Sequence, residues 1–172
     1  EHLGPALARA GLGNVEVFCW DHNCDRMEYA LAVLADPEAR RYLSGSAWHL
    51  YAGEISALAA VHAAHPDMKL YFTEQWVGSD GQFGPDLLWH ARNVLIGSLC
   101  NWSAAVFEWN LASDPWCGPH TDGGEARCVA ALTIGDGISR NVAYYVIAHA
   151  AKFVRPGSVR IFSQADAPLH SV

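Results

Sequence analysis

The chain alternates short apolar runs with longer helical patterns, and this alternation limits the folds it can adopt. Four runs rich in Val, Phe, Tyr, Trp or Leu, each about as long as a buried strand, lie at 15–21, 45–51, 69–74 and 104–110. They start roughly 25–35 residues apart. Parallel neighbours need a crossover connection, so this regular alternation predicts an α/β fold with a parallel sheet.

Helix signals fill the intervals between these runs. Apolar residues recur at i, i+3 and i+4 within 87–99 and within 142–153, which is typical of helices with one buried face. Pro85 fits a first helical position, and Ser139 can serve as an N-cap. Asp36, followed by Pro and Glu, is a further cap-and-start signature.

Polar residues stand at the carboxyl end of every predicted strand. They are Asp21, His22 and Asn23, then His49 and Tyr51, then Glu74 and Gln75, and finally Glu108, Trp109 and Asn110. A (β/α)8 barrel gathers chemistry from several strand ends, whereas a doubly wound sheet concentrates it at one switch point. The pattern favours a barrel, and the lack of a Gly-rich loop after the first strand argues against nucleotide binding.

Four strand–helix units are half of the eight that a barrel needs in about 250 residues. A half barrel would leave two open sheet edges and an uncovered interior face. We therefore expect the chain to be a fragment whose N-terminal half of the barrel is missing, or to pair with something that completes it.

Composition excludes several classes of function. The 172 residues include 11 basic and 18 acidic ones, for a net charge of −7, and no basic run predicts nucleic-acid binding. No apolar stretch is long enough for a membrane span. Without a CxxC pair, an HExxH motif or a GxSxG elbow, we expect no metal, no other cofactor and no serine hydrolase.

Glu74 is the leading candidate for chemistry. It ends the apolar run 69–74 and is followed by Gln75 and Trp76, so its carboxylate would be partly desolvated at the mouth of the barrel. Such a group suits a nucleophile that attacks the anomeric carbon of a sugar. The structural alternative is a carboxylate that caps a helix or pairs with an arginine.

Other strand-end residues could support that chemistry. His49 and Tyr51, two apart on one strand, share a face and could orient Glu74, or could simply be satisfied by backbone groups. Asp21 could bind sugar hydroxyls with Asn23, or could begin an Asx turn.

The last strand end offers a stacking surface. Trp109 would form a floor for a sugar face, and Asn110 would bind a hydroxyl. Adjacent strand residues face opposite sides, so Glu108 is predicted to be structural. Cys117 and Cys128 lie in one Gly-rich loop and could form a disulfide, which would suit a secreted protein.

Taken together, several motifs resemble one known family, glycoside hydrolase family 30, which contains glucosylceramidases and β-1,6-glucanases. In order along the chain they are WDHN (20–23), ADPEARRYL (35–43), AWHLYAG (47–53), YFTEQ (71–75), EWNLASDP (108–115), GPH (118–120) and AHAAKFVRPGSVRI (148–161). One such motif is weak evidence, but seven in the family's order are highly specific.

The resemblance implies a retaining β-glycosidase that needs no metal and joins a (β/α)8 barrel to a β-sandwich. By this resemblance, Glu74 corresponds to the family's nucleophile. His49 and Tyr51 correspond to the two polar residues that contact it, and Asp21 and Trp109 to residues of the cleft. The substrate would be a β-linked glucoside, a glucan or glucosylceramide.

The resemblance also implies a domain organisation. The four runs become strands five to eight, 1–155 becomes the C-terminal half of the barrel, and 156–172 becomes a linker with the first strand of a sandwich, at 157–163. The family's acid/base Glu belongs to an Asn-Glu-Pro motif that this chain lacks, so we expect it upstream and expect the fragment alone to be inactive. The alternative is a non-catalytic carbohydrate-binding or interaction relative of the same fold.

Overall fold

In the computed structural model of the chain, residues 2–161 are described. The helices are α1 (Leu3–Arg9), α2 (Met27–Ala35), α3 (Pro37–Arg40), α4 (Ala57–Ala64), α5 (Phe83–Trp89), α6 (Gly97–Cys100) and α7 (Val142–Ala151), with a 3₁₀ turn at Cys24–Arg26 and a π-helical segment at His90–Ile96. The strands are β1 (Phe18–Asn23), β2 (Gly45–His49), β3 (Lys69–Glu74), β4 (Val77–Gly78), β5 (Ala112–Ser113), β6 (Cys128–Val129), β7 (Leu132–Ile134) and β8 (Ile138–Arg140). The α/β fold class is confirmed.

The main sheet is parallel, in the order β1–β2–β3. β3 matches the predicted run 69–74, whereas β2 ends two residues earlier than predicted and β1 begins three residues later. Helices follow β1 and β2, as the alternation predicts, whereas β3 is followed by the short strand β4 and then by α5. The carboxyl ends of all three strands therefore lie at one edge of the sheet.

The fourth predicted strand, 104–110, is not a regular strand. It lies parallel to β3 through two isolated bridges, Phe72–Val106 and Trp76–Trp109. Among residues 2–161, its bridges are to the β3 side only, and they are isolated rather than consecutive, so they do not make a continuous ladder. The segment still brings its end to the same edge of the sheet.

One hydrophobic core lies between the sheet and helices α2 and α4. Trp48 and Phe72 from the sheet, with Leu34 and Leu58 from the helices, have no exposed surface. Burying a side chain of this size stabilises the fold by roughly 1.5–3 kcal/mol. The Trp48 indole N–H donates to Ser46 Oγ at 2.9 Å, so its polar atom is also satisfied.

Helix starts agree with the sequence at one of three positions. The Asp36 side chain accepts from the N–H groups of Glu38 and Ala39 at the start of α3, which confirms that cap. The N-cap prediction for Ser139 was wrong. This residue lies in β8, where it pairs with Thr133 of β7, and the cap position of α7 belongs to Asn141. Pro85 is the third residue of α5 rather than its first.

Residues 111–141 contain short strands that sequence patterns did not predict. β4 pairs antiparallel with β6, and β7 lies between β5 and β8. Strands of two or three residues are too short to show a hydrophobic alternation. Residues 157–161 contain no strand, and the rest of the predicted sandwich strand lies outside the described residues.

Candidate active site

Glu74 is the last residue of β3, and its side chain is about one-third exposed at the carboxyl edge of the sheet. The Tyr51 hydroxyl donates a hydrogen bond to Glu74 Oε1 at 3.1 Å. His49 Nδ1 lies 3.9 Å from the same oxygen, beyond hydrogen-bonding distance but close enough for an electrostatic contact. The structure thus brings together the three residues that the sequence singled out.

A second line of contacts fixes the His49 ring. Its Nε2 is 3.2 Å from Asp21 Oδ1, and the Thr73 hydroxyl donates to that same oxygen at 2.7 Å. An ionised carboxylate only accepts hydrogen bonds, so His49 carries a hydrogen on Nε2. Since the His49 side chain is buried, Asp21 sets the tautomer and the orientation of the ring.

Irregular backbone at the strand ends aims these side chains. The β1–β2 register skips between Trp20 and His22, and the β2–β3 register skips at His49, which pairs with Glu74. Asp21 has a left-handed φ of 51°, which is uncommon for a residue other than glycine. Such bulges redirect side chains next to active sites. They allow Asp21 to reach both His49 and Thr73.

Tyr51 is positioned by its backbone as well as by its ring. Its N–H donates to Asn23 Oδ1 at 3.0 Å, so the predicted sugar ligand Asn23 holds the backbone two residues beyond the end of β2. Burial, followed by the nearby charge of Glu74, raises the pKa of Tyr51 well above its usual range. The phenol therefore remains a protonated hydrogen-bond donor to Glu74 at neutral pH.

Aromatic rings form one wall beside Glu74. The Trp76 ring centroid is 6.3 Å from that of Tyr51, and the Arg127 guanidinium lies 5.7 Å from the centre of the Trp76 ring. Trp109, bridged to Trp76, leaves 44% of its surface exposed. Sequence patterns did not single out Arg127, because α5, α6 and short strands separate it from Trp76 in the chain.

Asn110 lies apart from the Glu74 group. Its Oδ1 accepts from the Ala112 N–H at 2.9 Å, and the residue lines an apolar cavity of about 690 Å³ between 106–111 and α7. Within the described part of the chain, no hydrogen bond joins Asn110 to Glu74. Its assignment as a sugar ligand stays a prediction.

Cys117 and Cys128 are free thiols in the structure. Cys128 is held in the β4–β6 ladder opposite Gly78, whereas Cys117 belongs to a turn in which its N–H donates to the Asp114 carbonyl. Burial raises the pKa of the Cys128 thiol to about 11, so it is neutral at physiological pH. The disulfide is not formed here and stays a prediction.

Glu108 is buried and paired with His90, whose Nδ1 is 2.8 Å from one carboxylate oxygen and 2.9 Å from the other. Burial raises the pKa of Glu108, while the His90 contact opposes that rise. The residue is therefore committed to an internal contact, as expected for a structural carboxylate.

Residues 2–161 contain no group of His, Cys, Asp and Glu side chains arranged to hold a metal, and none of their helices could span a membrane.

Comparisons with known proteins identify the family of the chain. Residues 1–154 match the glycosyl hydrolase family 30 TIM-barrel domain. The chain is 37% identical over 163 residues to the endo-1,6-β-D-glucanase neg1 of Aspergillus fumigatus, covering 92% of this chain and 32% of that protein. It is 32% identical over 175 residues to putative glucosylceramidase 2 of Caenorhabditis elegans, covering 96% of this chain and 34% of that protein.

A solved structure shows the same relationship. The endo-β1,6-glucanase BT3312 superposes with a TM-score of 0.83 at 34% identity, over 90% of this chain and 37% of that one. The chain thus spans about a third of the length of the curated relatives that it matches. Because the family's domain matches residues 1–154 of the 172, the chain belongs to glycoside hydrolase family 30.

Proposed function

We propose that this chain carries the nucleophile of a retaining β-glycoside hydrolase, and that Glu74 is this nucleophile. The observation that carries the proposal is the contact of Tyr51 and His49 with one oxygen of Glu74, at 3.1 and 3.9 Å. A carboxylate held by one donor, with its second oxygen free, suits attack on an anomeric carbon.

In the proposed reaction, the free oxygen of Glu74 forms a bond to the anomeric carbon as the bond to the leaving oxygen breaks. Tyr51 keeps the other carboxylate oxygen in place, because its raised pKa leaves it protonated. Asp21 holds His49 against this oxygen, and the exposed face of Trp109 receives the sugar ring. Water then cleaves the glycosyl–Glu74 ester and releases a product of retained configuration.

Retaining hydrolysis needs a second carboxyl group about 5–5.5 Å from the first to protonate the leaving oxygen. Glu108 does not suit this role, because its carboxylate is buried and both of its oxygens contact His90. We propose that the acid/base Glu comes from residues outside this chain, in the Asn-Glu-Pro motif that the family resemblance implies. The 172 residues alone would then be inactive.

Open surfaces of the fold support the further proposal that the chain is the C-terminal half of the barrel. Segment 104–110 bridges to β3 but not to a second strand within residues 2–161, and β1 pairs with β2 alone. The apolar cavity beside α7 lies at the first of these open edges. Exposed sheet edges of this kind are normally covered, and the other half of a barrel would cover both.

For the substrate, we propose a β-linked glucan in preference to glucosylceramide. Identity is 37% to the Aspergillus endo-1,6-glucanase and 32% to the Caenorhabditis glucosylceramidase, and the superposed structure is also an endo-β1,6-glucanase. A non-catalytic carbohydrate-binding relative is the second candidate, because the acid/base motif is absent from the sequence.

The test is hydrolysis of β-1,6-glucan, aryl β-glucoside and glucosylceramide by the full-length protein that contains these residues. Glu74→Gln should lower kcat on the preferred substrate by at least about 10³-fold with a smaller effect on KM. Glu16→Gln is a matched control, since Glu16 pairs with Lys69 at the opposite end of β3. Sugar binding without hydrolysis by the parent protein would favour the non-catalytic candidate, and full activity in Glu74→Gln would refute the nucleophile.

A further inference from the structure

A buried pair of side chains, His90 and Glu108, lies next to the proposed sugar site. His90 Nδ1 is within 2.9 Å of both carboxylate oxygens of Glu108, and the two side chains are only 5% and 3% exposed. Burying polar side chains costs free energy that their hydrogen bonds must offset, and a well-packed apolar pair often serves stability equally well. A pair of this kind therefore calls for a role beyond packing.

Its place in the chain indicates that role. Glu108 directly precedes Trp109, whose N–H donates to the Gln75 carbonyl at 2.8 Å, one residue beyond Glu74. Segment 104–110 makes only isolated bridges, and backbone hydrogen bonds on either side of its end come from the Trp109 N–H and from the Ala131 N–H, which donates to the Asn110 carbonyl at 2.8 Å. The contact of Glu108 with His90 adds a side-chain restraint to the backbone that carries the exposed Trp109 ring.

The helix side of the pair is also specialised. His90 is the first residue of the π-helical segment His90–Ile96, and the Trp89 ring packs edge-on against it at 5.1 Å. Single π-helical turns inside α-helices occur frequently at functional sites. The wider turn begins at the residue that reaches Glu108.

The pair also acts on the electrostatics of the site. Burial and Glu74 are the larger causes of the raised pKa of Tyr51, and the charge of Glu108 adds to them. Glu108 is thus near enough to influence the residue that holds Glu74, even though it makes no hydrogen bond to it.

We infer that His90 and Glu108 are positioning residues that hold Trp109 in the orientation in which its ring receives the sugar beside Glu74. The inference rests on the proposed glycosidase function, but it concerns binding of the sugar rather than attack on it. Because Glu108 acts through Trp109, substitutions at the two residues are expected to have non-independent effects on KM.

A double-mutant cycle in the full-length protein tests this coupling. Glu108→Leu, which removes both oxygens that accept from His90, should raise KM for an aryl β-glucoside roughly tenfold while kcat changes less than about twofold, because uniform binding is lost. In a Trp109→Ala background, the same Glu108→Leu change should raise KM by less than about twofold. If the substitution at Glu108 raised KM by the same factor in the parent and in the Trp109→Ala background, the inference would be overturned.

Two further variants separate positioning from folding. His90→Gln keeps an N–H donor that can reach Glu108, so its KM should lie within about threefold of the parent value, whereas His90→Phe should behave like Glu108→Leu. Asp67→Asn is the matched control, since Asp67 makes an exposed pair with Arg40 just before β3. A KM for His90→Gln equal to that of His90→Phe would contradict the role of this hydrogen bond.

Binding of the iminosugar deoxynojirimycin, measured by calorimetry, gives a readout that does not need turnover. Glu108→Leu should weaken this binding by the same factor as it raises KM, and unchanged binding would overturn the inference. If the parent protein binds the iminosugar but hydrolyses no glycoside, the proposed function fails while the coupling of Glu108 to Trp109 remains measurable through binding.

Discussion

Removing the hydroxyl of Tyr51 removes the hydrogen bond that this residue donates to the Glu74 carboxylate. The bond is 3.1 Å long, and a hydrogen bond to a charged group contributes about 1.5–3 kcal/mol. Because the side chain of Glu74 is about one-third exposed, the low end applies, at about 1.5–2 kcal/mol. Tyr51→Phe should therefore reduce kcat/KM roughly 10- to 30-fold.

The assay is steady-state hydrolysis of an aryl β-glucoside by the full-length protein, with the folded fraction checked by circular dichroism. Tyr29→Phe makes the same chemical change at a ring that packs on Trp20, away from Glu74, and should leave kcat/KM within about twofold. If Tyr51→Phe and Tyr29→Phe gave equal kcat/KM values, the hydroxyl would have no part in holding the nucleophile.

Two further predictions concern stability. Burial raises the pKa of Tyr51, so above about pH 10 the folded state keeps a proton that the unfolded state has lost, and this contribution to stability falls as pH rises. Denaturation at about pH 8 and about pH 11 should show the parent losing more stability than Tyr51→Phe, and equal losses would refute the shift. Asp36→Ala should lower the free energy of unfolding by about 1 kcal/mol in urea, because α3 loses its cap, whereas Asp36→Ser should retain most of it.

Much of the site could be predicted because its residues lie at the ends of strands or just beyond them. His49 ends β2, Tyr51 follows two residues later, and Glu74 ends a run whose bounds match β3. Parallel strands end at one edge, so these three side chains had to meet.

The parts that sequence could not predict depend on irregular backbone or on distant contacts. Asp21 reaches His49 through a left-handed turn and a register skip, neither of which has a sequence signal in this chain. Segment 104–110 has the composition of a strand, but its bridges to the β3 side are isolated, and composition carries no information on which backbone groups pair. Asn110 shows the same limit, since its polar type did not reveal that its oxygen accepts from Ala112.

Trapping the glycosyl-enzyme addresses the nucleophile most directly. The full-length protein would be incubated with a 2-deoxy-2-fluoro-β-glucoside bearing a good leaving group, digested, and its peptides sequenced by mass spectrometry. We expect one fluoroglucosyl group, attached to Glu74 in the peptide that contains β3, and no label in Glu74→Gln. A label on Glu108 or on any other carboxylate would contradict the assignment of Glu74 as nucleophile.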